Sequence, residues 1–257
     1  MRITPVLPVF LPFILLVHAE AATISVNFVD VVGVDSMAPS DLAGAPGAGT
    51  RVTNWNNIQA AANGAAAGLV YDSGAASATA VSFASDLGTW RNGFAAADGD
   101  SKMWKGYLDT ANSTTVNVSG LSFVGSYDVV IYFDGDNGGQ WRVGNYTIGA
   151  TTLGGEDSEN TNWGSGQNTG LVYQVPLAGS GGNASWPISP NNGEGNYVRF
   201  TGITGSSFTI TAGGGASSDI PRAPINGFQI VGTVPEPATG ILGLGALGLG
   251  LRRRRRA

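Results

Sequence analysis

The sequence predicts an all-β domain, an antiparallel β-sandwich of jelly-roll-like type, between two terminal segments of different character. Three observations point there. Some ten short β-branched or aromatic runs alternate with turn-forming stretches rich in Gly, Asn and Ser. The 257 residues include 40 glycines and 12 prolines, which suits many turns and not a helical bundle. There is no cysteine, so the fold must rest on a hydrophobic core. Residues 22–233 are long enough to build one.

The strands follow in order. Residues 24–34 (ISVNFVDVVGV) are β-branched with partial alternation and make a first strand. A Gly/Pro/Ala-rich stretch, 35–50, reads as a surface loop. Asn54-Trp55-Asn56-Asn57-Ile58 leads into 60–68, an Ala-rich segment expected to be a short helix or a loose turn. Residues 78–84 alternate as a strand, and 114–118 form another. Residues 127–133 (YDVVIYF) are nearly continuous in apolar character, as a sheet centre requires. Residues 140–148 are expected to return as their hairpin partner, across a turn at 134–139. Strands at 171–175, 197–203, 208–211 and 228–231 complete the set, with polar loops at 154–169 and 178–195. Pairing of the first strand with the last would bring both ends of the domain to one pole.

The two ends look like addresses. Arg2, an apolar run at 6–17 and the small-x-small triplet Ala19-Glu20-Ala21 fit a cleavable export signal over residues 1–21. Pro5, Pro8 and Pro12 argue against a spanning helix there. At the other end stand Val234, Pro235, Glu236 and Pro237. A Gly/Leu run at 238–251 follows, then Arg252, Arg253, Arg254, Arg255 and Arg256. The apolar run would make a short membrane helix with the arginines on the cytoplasmic side. The domain boundaries expected are 1–21, 22–233 and 234–257.

Composition narrows the chemistry of the domain. Residues 22–233 carry 7 Lys and Arg against 16 Asp and Glu, a net of −9 that disfavours nucleic acid. The single histidine, His18, lies in the export signal. Without His or Cys the domain has no Ser-His-Asp or Cys-His machinery and no ordinary zinc site. Catalysis by paired carboxylates, as in glycoside hydrolysis, remains open as an alternative. Glu156, Glu159 and Glu194 lie in expected loops, but the sequence does not fix their spacing.

Two features suggest binding. Trp90, Trp104, Trp141 and Trp163 sit in or beside polar, Gly-rich stretches. Indole rings stack on the apolar faces of sugars while neighbouring amides and carboxylates bond the hydroxyls. The same rings could instead cap the core, as expected for Trp55 and Trp186. Asp134-Gly135-Asp136-Asn137-Gly138 places Asp134 and Asp136 at alternate positions of a tight loop, a weak calcium pattern. A hairpin turn explains those residues as well. No other cofactor is expected.

The C-terminal segment resembles the PEP-CTERM sorting signal of Gram-negative bacteria, on the strength of Val234-Pro235-Glu236-Pro237, the apolar run and the arginine cluster. The resemblance implies recognition of Pro235-Glu236-Pro237 by an exosortase-like membrane protease. It implies transient anchoring in the inner membrane, then release to the cell surface or extracellular matrix, in association with exopolysaccharide. The body is similar to ectodomains that accompany such tails, which look like lectin-type sandwiches. The matching pieces are Ile24-Ser25-Val26-Asn27-Phe28-Val29, Asn54-Trp55-Asn56-Asn57, Gly106-Tyr107-Leu108-Asp109, Tyr127 to Phe133 and Ile225-Asn226-Gly227-Phe228-Gln229-Ile230. A non-enzymatic, glycan-binding surface protein is the expectation. A secreted hydrolase and a purely structural or adhesive domain are the alternatives.

Overall fold

A computed structural model of the protein describes residues 19–46, 49–93, 95–136, 142–157, 196–214 and 222–235. One compact unit spans Ala21–Val234. The second, Met1–Glu20 with Pro235–Ala257, adds to the described residues only the first two positions of one strand and the last of another.

The first seven elements are β1 (Ala19–Val29), β2 (Asn56–Gln59), β3 (Asn63–Ala67), β4 (Ala80–Ser85), β5 (Thr89–Arg91), the helical turn α1 (Gly99–Met103) and β6 (Gly106–Leu108). Then come β7 (Thr114–Ser119), β8 (Tyr127–Tyr132), β9 (Arg142–Ile148), β10 (Thr151–Asp157), β11 (Tyr197–Ile203), β12 (Phe208–Gly214) and β13 (Gly227–Pro235). They form a five-stranded sheet, β11-β8-β13-β1-β2, a six-stranded sheet, β10-β9-β12-β7-β4-β3, and a two-stranded ribbon, β5-β6. This is the all-β sandwich the sequence predicts.

Period-two patterning explains the six-stranded sheet. In β4, Val81, Phe83 and Ser85 are buried while Ser82 and Ala84 face out. In β12, Phe208, Ile210 and Ala212 are buried and alternate with Thr209 and Thr211. The inward residues meet Phe28, Val129, Ile131, Phe228 and Ile230 of the other sheet in one main core. Phe28 and Phe83 pack edge to face at 5.3 Å, and Phe133 stacks on Tyr146 at 5.0 Å.

β8 does not alternate because it is buried on both faces. Val129 and Ile131 point into the main core. Val130 and Tyr132 belong to a second cluster with Met37, Ala43, Ala45, Trp55, Met103, Trp104 and Tyr197. The long β1–β2 connection and α1 thus cover the outer face of the five-stranded sheet. β1 is central and lies beside β13. The Phe28 N–H donates to the Asn226 carbonyl, and Gln229 Nε2 donates to Ser25 Oγ, so partners step in opposite directions along the two strands. The start of β1 and the end of β13 therefore share one pole.

Several sequence expectations are corrected. Residues 60–68 are neither helix nor turn: Asn63–Ala67 is edge strand β3, paired with β4. Its alanines favour helix in isolation, but sheet pairing overrides that weak preference. Residues 142–148 do not form a hairpin with β8. They pair with β10 and β12 in the other sheet, because both edges of β8 are taken by β11 and β13. β10 runs through residues 154–157, where a loop was expected. The first strand stops at Val29 rather than Val34. The sandwich is not wholly antiparallel either, since β2 runs parallel to β1. The expected strand at 171–175, the loop at 178–195, the export signal up to residue 18 and the apolar run at 238–251 lie outside the described residues.

Candidate functional site

At the pole where β1 ends, the β5–β6 ribbon closes over the chain. A Cβ on Gly106 would fall 2.6 Å from the Asp30 nitrogen and 2.9 Å from the Val29 Cα, so glycine is required for this approach. Trp90 stands opposite Tyr107 in the ribbon and is 52 % exposed. The next residue, Arg91, pairs with Asp35 at 2.9 Å, and that partner raises the Arg91 pKa. The Asp35 side chain is buried and follows a run of exposed apolar residues, Val31, Val32 and Val34. Beneath, Lys105 is buried and donates to the Asn92 carbonyl at 2.8 Å. Burial lowers its pKa, and the Arg91 charge adds to that.

Of the other tryptophans proposed for glycan contact, Trp104 is fully buried in the second cluster, packed at 6.0 Å against Tyr132. It has no face to offer a sugar. Trp55 is also core, 5.9 Å from Tyr132. Trp141 and Trp163 lie outside the described residues, as does Trp186.

The Asp134–Asp136 loop is held by side chains that the sequence did not single out for this role. Asn226, itself buried, accepts from the Asp134 N–H at 2.6 Å. It donates to the Asp134 carbonyl at 3.0 Å and to the Gly106 carbonyl at 3.1 Å. The Asp136 N–H donates to the Tyr107 hydroxyl at 3.0 Å. Asp134 is buried and Asp136 exposed, so the pair does not present two carboxylates on one open surface. Among the described residues no three His, Cys, Asp or Glu side chains are grouped to hold a metal.

Asn226 belongs to a wider set of latches. Gln229 donates to Ser25 Oγ and to the Thr50 carbonyl, both at 2.8 Å, and accepts from the Tyr132 hydroxyl. Tyr132 in turn accepts from the Ala45 N–H at 2.8 Å. Asn56 bonds the Ser25 and Val70 backbones, and Asn57 bonds Met37 through both its N–H and its carbonyl. The Asn-Trp-Asn-Asn and Ile-Asn-Gly-Phe-Gln pieces thus fasten loops to the central sheet.

Among the described residues the shifted carboxyls all move down. Burial works to raise Asp41, but Lys102 and the Ala38 N–H outweigh it. Burial likewise opposes the lowering of Asp86 by the N–H groups of Asn112 and Ala111. Asp98 is lowered by its bonds with the Ser101 side chain and N–H, as the cap of α1.

The outer face of the six-stranded sheet is different in kind. Asn63, Ala84, Thr115, Thr211, Thr147 and Thr152 stand in register across all six strands. All six are short and uncharged. Thr147 and Thr152 share a hydrogen bond at 2.8 Å.

Of the C-terminal segment, Val234 and Pro235 close β13. Glu236, Pro237 and Arg252 to Arg256 lie outside the described residues. The family model for a PEP-CTERM protein-sorting motif matches residues 233–256. The chain therefore carries a sorting signal of this class and is an exported substrate of exosortase, a membrane protease of Gram-negative bacteria. No curated protein and no solved structure matches it.

Proposed function

We propose that this is a non-catalytic surface or matrix protein, released by exosortase from the inner membrane and built into an exopolysaccharide layer. The sorting motif at residues 233–256 carries the reading. Three features support the finer parts. Val234 continues directly from a central strand of the sandwich, so the tail delivers a finished domain. Trp90 lies at the opposite pole, about 25 Å away by the length of β1 from Ala22 to Val29, and offers a half-exposed indole to a sugar ring. A glycoside hydrolase needs one carboxylic acid held with a raised pKa; among the described residues the carboxyls that shift are lowered, while Glu159 and Glu194 lie outside the described residues. The reading includes no cofactor; a rise in Tm when calcium is added to EDTA-treated protein would add one.

Intact mass of the protein recovered from the native surface or medium tests it. The parent should lack residues 1–21 and everything beyond the Pro-Glu-Pro region, with extra mass for any attached polymer. Alanine at Pro235, Glu236 and Pro237 together should fold normally and keep Arg252 to Arg256. A parent that also keeps those arginines would refute sorting.

A further inference from the structure

The sorting motif begins inside the sandwich. Its match starts at residue 233, whereas β13 runs to Pro235, so Thr233, Val234 and Pro235 belong to both. No spacer separates the sheet from the segment a protease must grip. The ladder of β13 with β8 ends where Val231 faces Asp128. Beyond that point the turn before β8 takes hold. The Val124 N–H donates to the Thr233 carbonyl at 2.8 Å, and the Thr233 hydroxyl donates to the Val124 carbonyl at 3.3 Å. Phe123 lies over Gly232: a Cβ there would meet the ring at 2.7 Å and the Tyr127 Cβ at 3.0 Å. The ring is set in turn by Tyr127 at 5.6 Å and Tyr71 at 6.3 Å. Phe123 and Val234 both pack, partly buried, on the main core.

We propose that Phe123 and Val124 are positioning residues for the sorting reaction: they clasp residues 232–234, and the motif is gripped only when the strand end peels away. The proposal rests on the exosortase reading above. Extended peptides are commonly bound by adding a strand to the binder, through their backbone groups. The N–H of Val124 already occupies the Thr233 carbonyl, so the clasp and an enzyme pairing there compete. Strand ends open far more easily than whole domains. The clasp therefore sets how often the motif's leading edge is available.

The test uses the full chain in a host with the sorting system, with conversion followed by pulse-chase and intact mass. Phe123→Ala should speed conversion by about three- to ten-fold, the population shift expected on losing one net contact of this size. A four-residue Gly/Ser spacer between Thr233 and Val234 should speed it similarly. In the spacer chain Phe123→Ala should add nothing, because the motif no longer depends on the clasp. Unchanged or slower conversion of Phe123→Ala would overturn the proposal. Equal acceleration with and without the spacer would also overturn it, since that reports general destabilisation. Should Phe123→Ala fail to fold, the spacer chain decides alone, and its converting at the parent rate refutes the clasp. A parent chain that is never converted would remove the sorting reading, and the clasp with it.

Discussion

Replacing Asn226 with alanine should be among the most damaging single changes outside the apolar core. Its side chain is fully buried and makes three well-formed bonds, at 2.6, 3.0 and 3.1 Å. Together they join the start of β13, the backbone of β6 and the loop after β8. Each net bond is worth about 1 kcal/mol, so the loss is about 3 kcal/mol, rising towards about 5 if the orphaned groups stay dry. For a domain of this size that is a fall in Tm of roughly 10 °C. Urea unfolding of the processed protein measures it as a lower midpoint at constant slope. Asn226→Asp keeps the acceptor for the Asp134 N–H but turns a second oxygen on two carbonyls, so it should be at least as harmful. A loss below about 1 kcal/mol for Asn226→Ala would refute the idea that these bonds fasten the pole.

The two described tryptophans of the proposed glycan set should separate cleanly. Trp104→Ala should cost about 3–5 kcal/mol of stability in unfolding experiments, because the ring is wholly buried. Trp90→Ala should leave the Tm nearly unchanged and weaken retention on the host's exopolysaccharide in affinity electrophoresis; unaltered retention would remove Trp90 from the site. Acid should destabilise the fold through Asp41, Asp86 and Asp98. Their folded pKa values lie below the unfolded ones, so their contribution is whole above about pH 4 and drains as pH falls through the folded values. A Tm that holds from pH 5 to pH 2 would contradict this.

The sequence made the class of fold legible, since alternation in β4, β7 and β12 is a local property with a single solution. The partners of β8 were not legible. Its near-continuous apolar run announces burial on both faces, yet nothing local says that β11 and β13, rather than β9, fill its edges. β3 was hidden because its alanines say helix and only the neighbouring Phe83, lying over Gly64, needs a strand there. Trp104 and Trp90 look alike in sequence, each beside polar or glycine-rich stretches. Their fates diverge because one ends a helical turn packed on Tyr132 and the other sits on a ribbon facing outward. The latch amides could have been suspected from Asn-Trp-Asn-Asn and Ile-Asn-Gly, where polar side chains interrupt otherwise apolar strands. Their partners are backbone groups far away in the chain, which composition cannot reveal. The sorting motif was legible because it is written in order along the chain, as Pro-Glu-Pro, apolar run and cations.

The neighbouring placement of the first and last strands bears on timing during export. The bond between Gln229 and Ser25 spans 204 residues. β1 crosses the membrane first and then waits, lacking a partner on one edge, until almost the whole chain has followed. Long-range pairing of this kind is slow and leaves apolar surface open meanwhile. β13 runs straight into the sorting motif, so closure of the sheet and arrival of the signal fall at the same moment, and a chain truncated before β13 has neither.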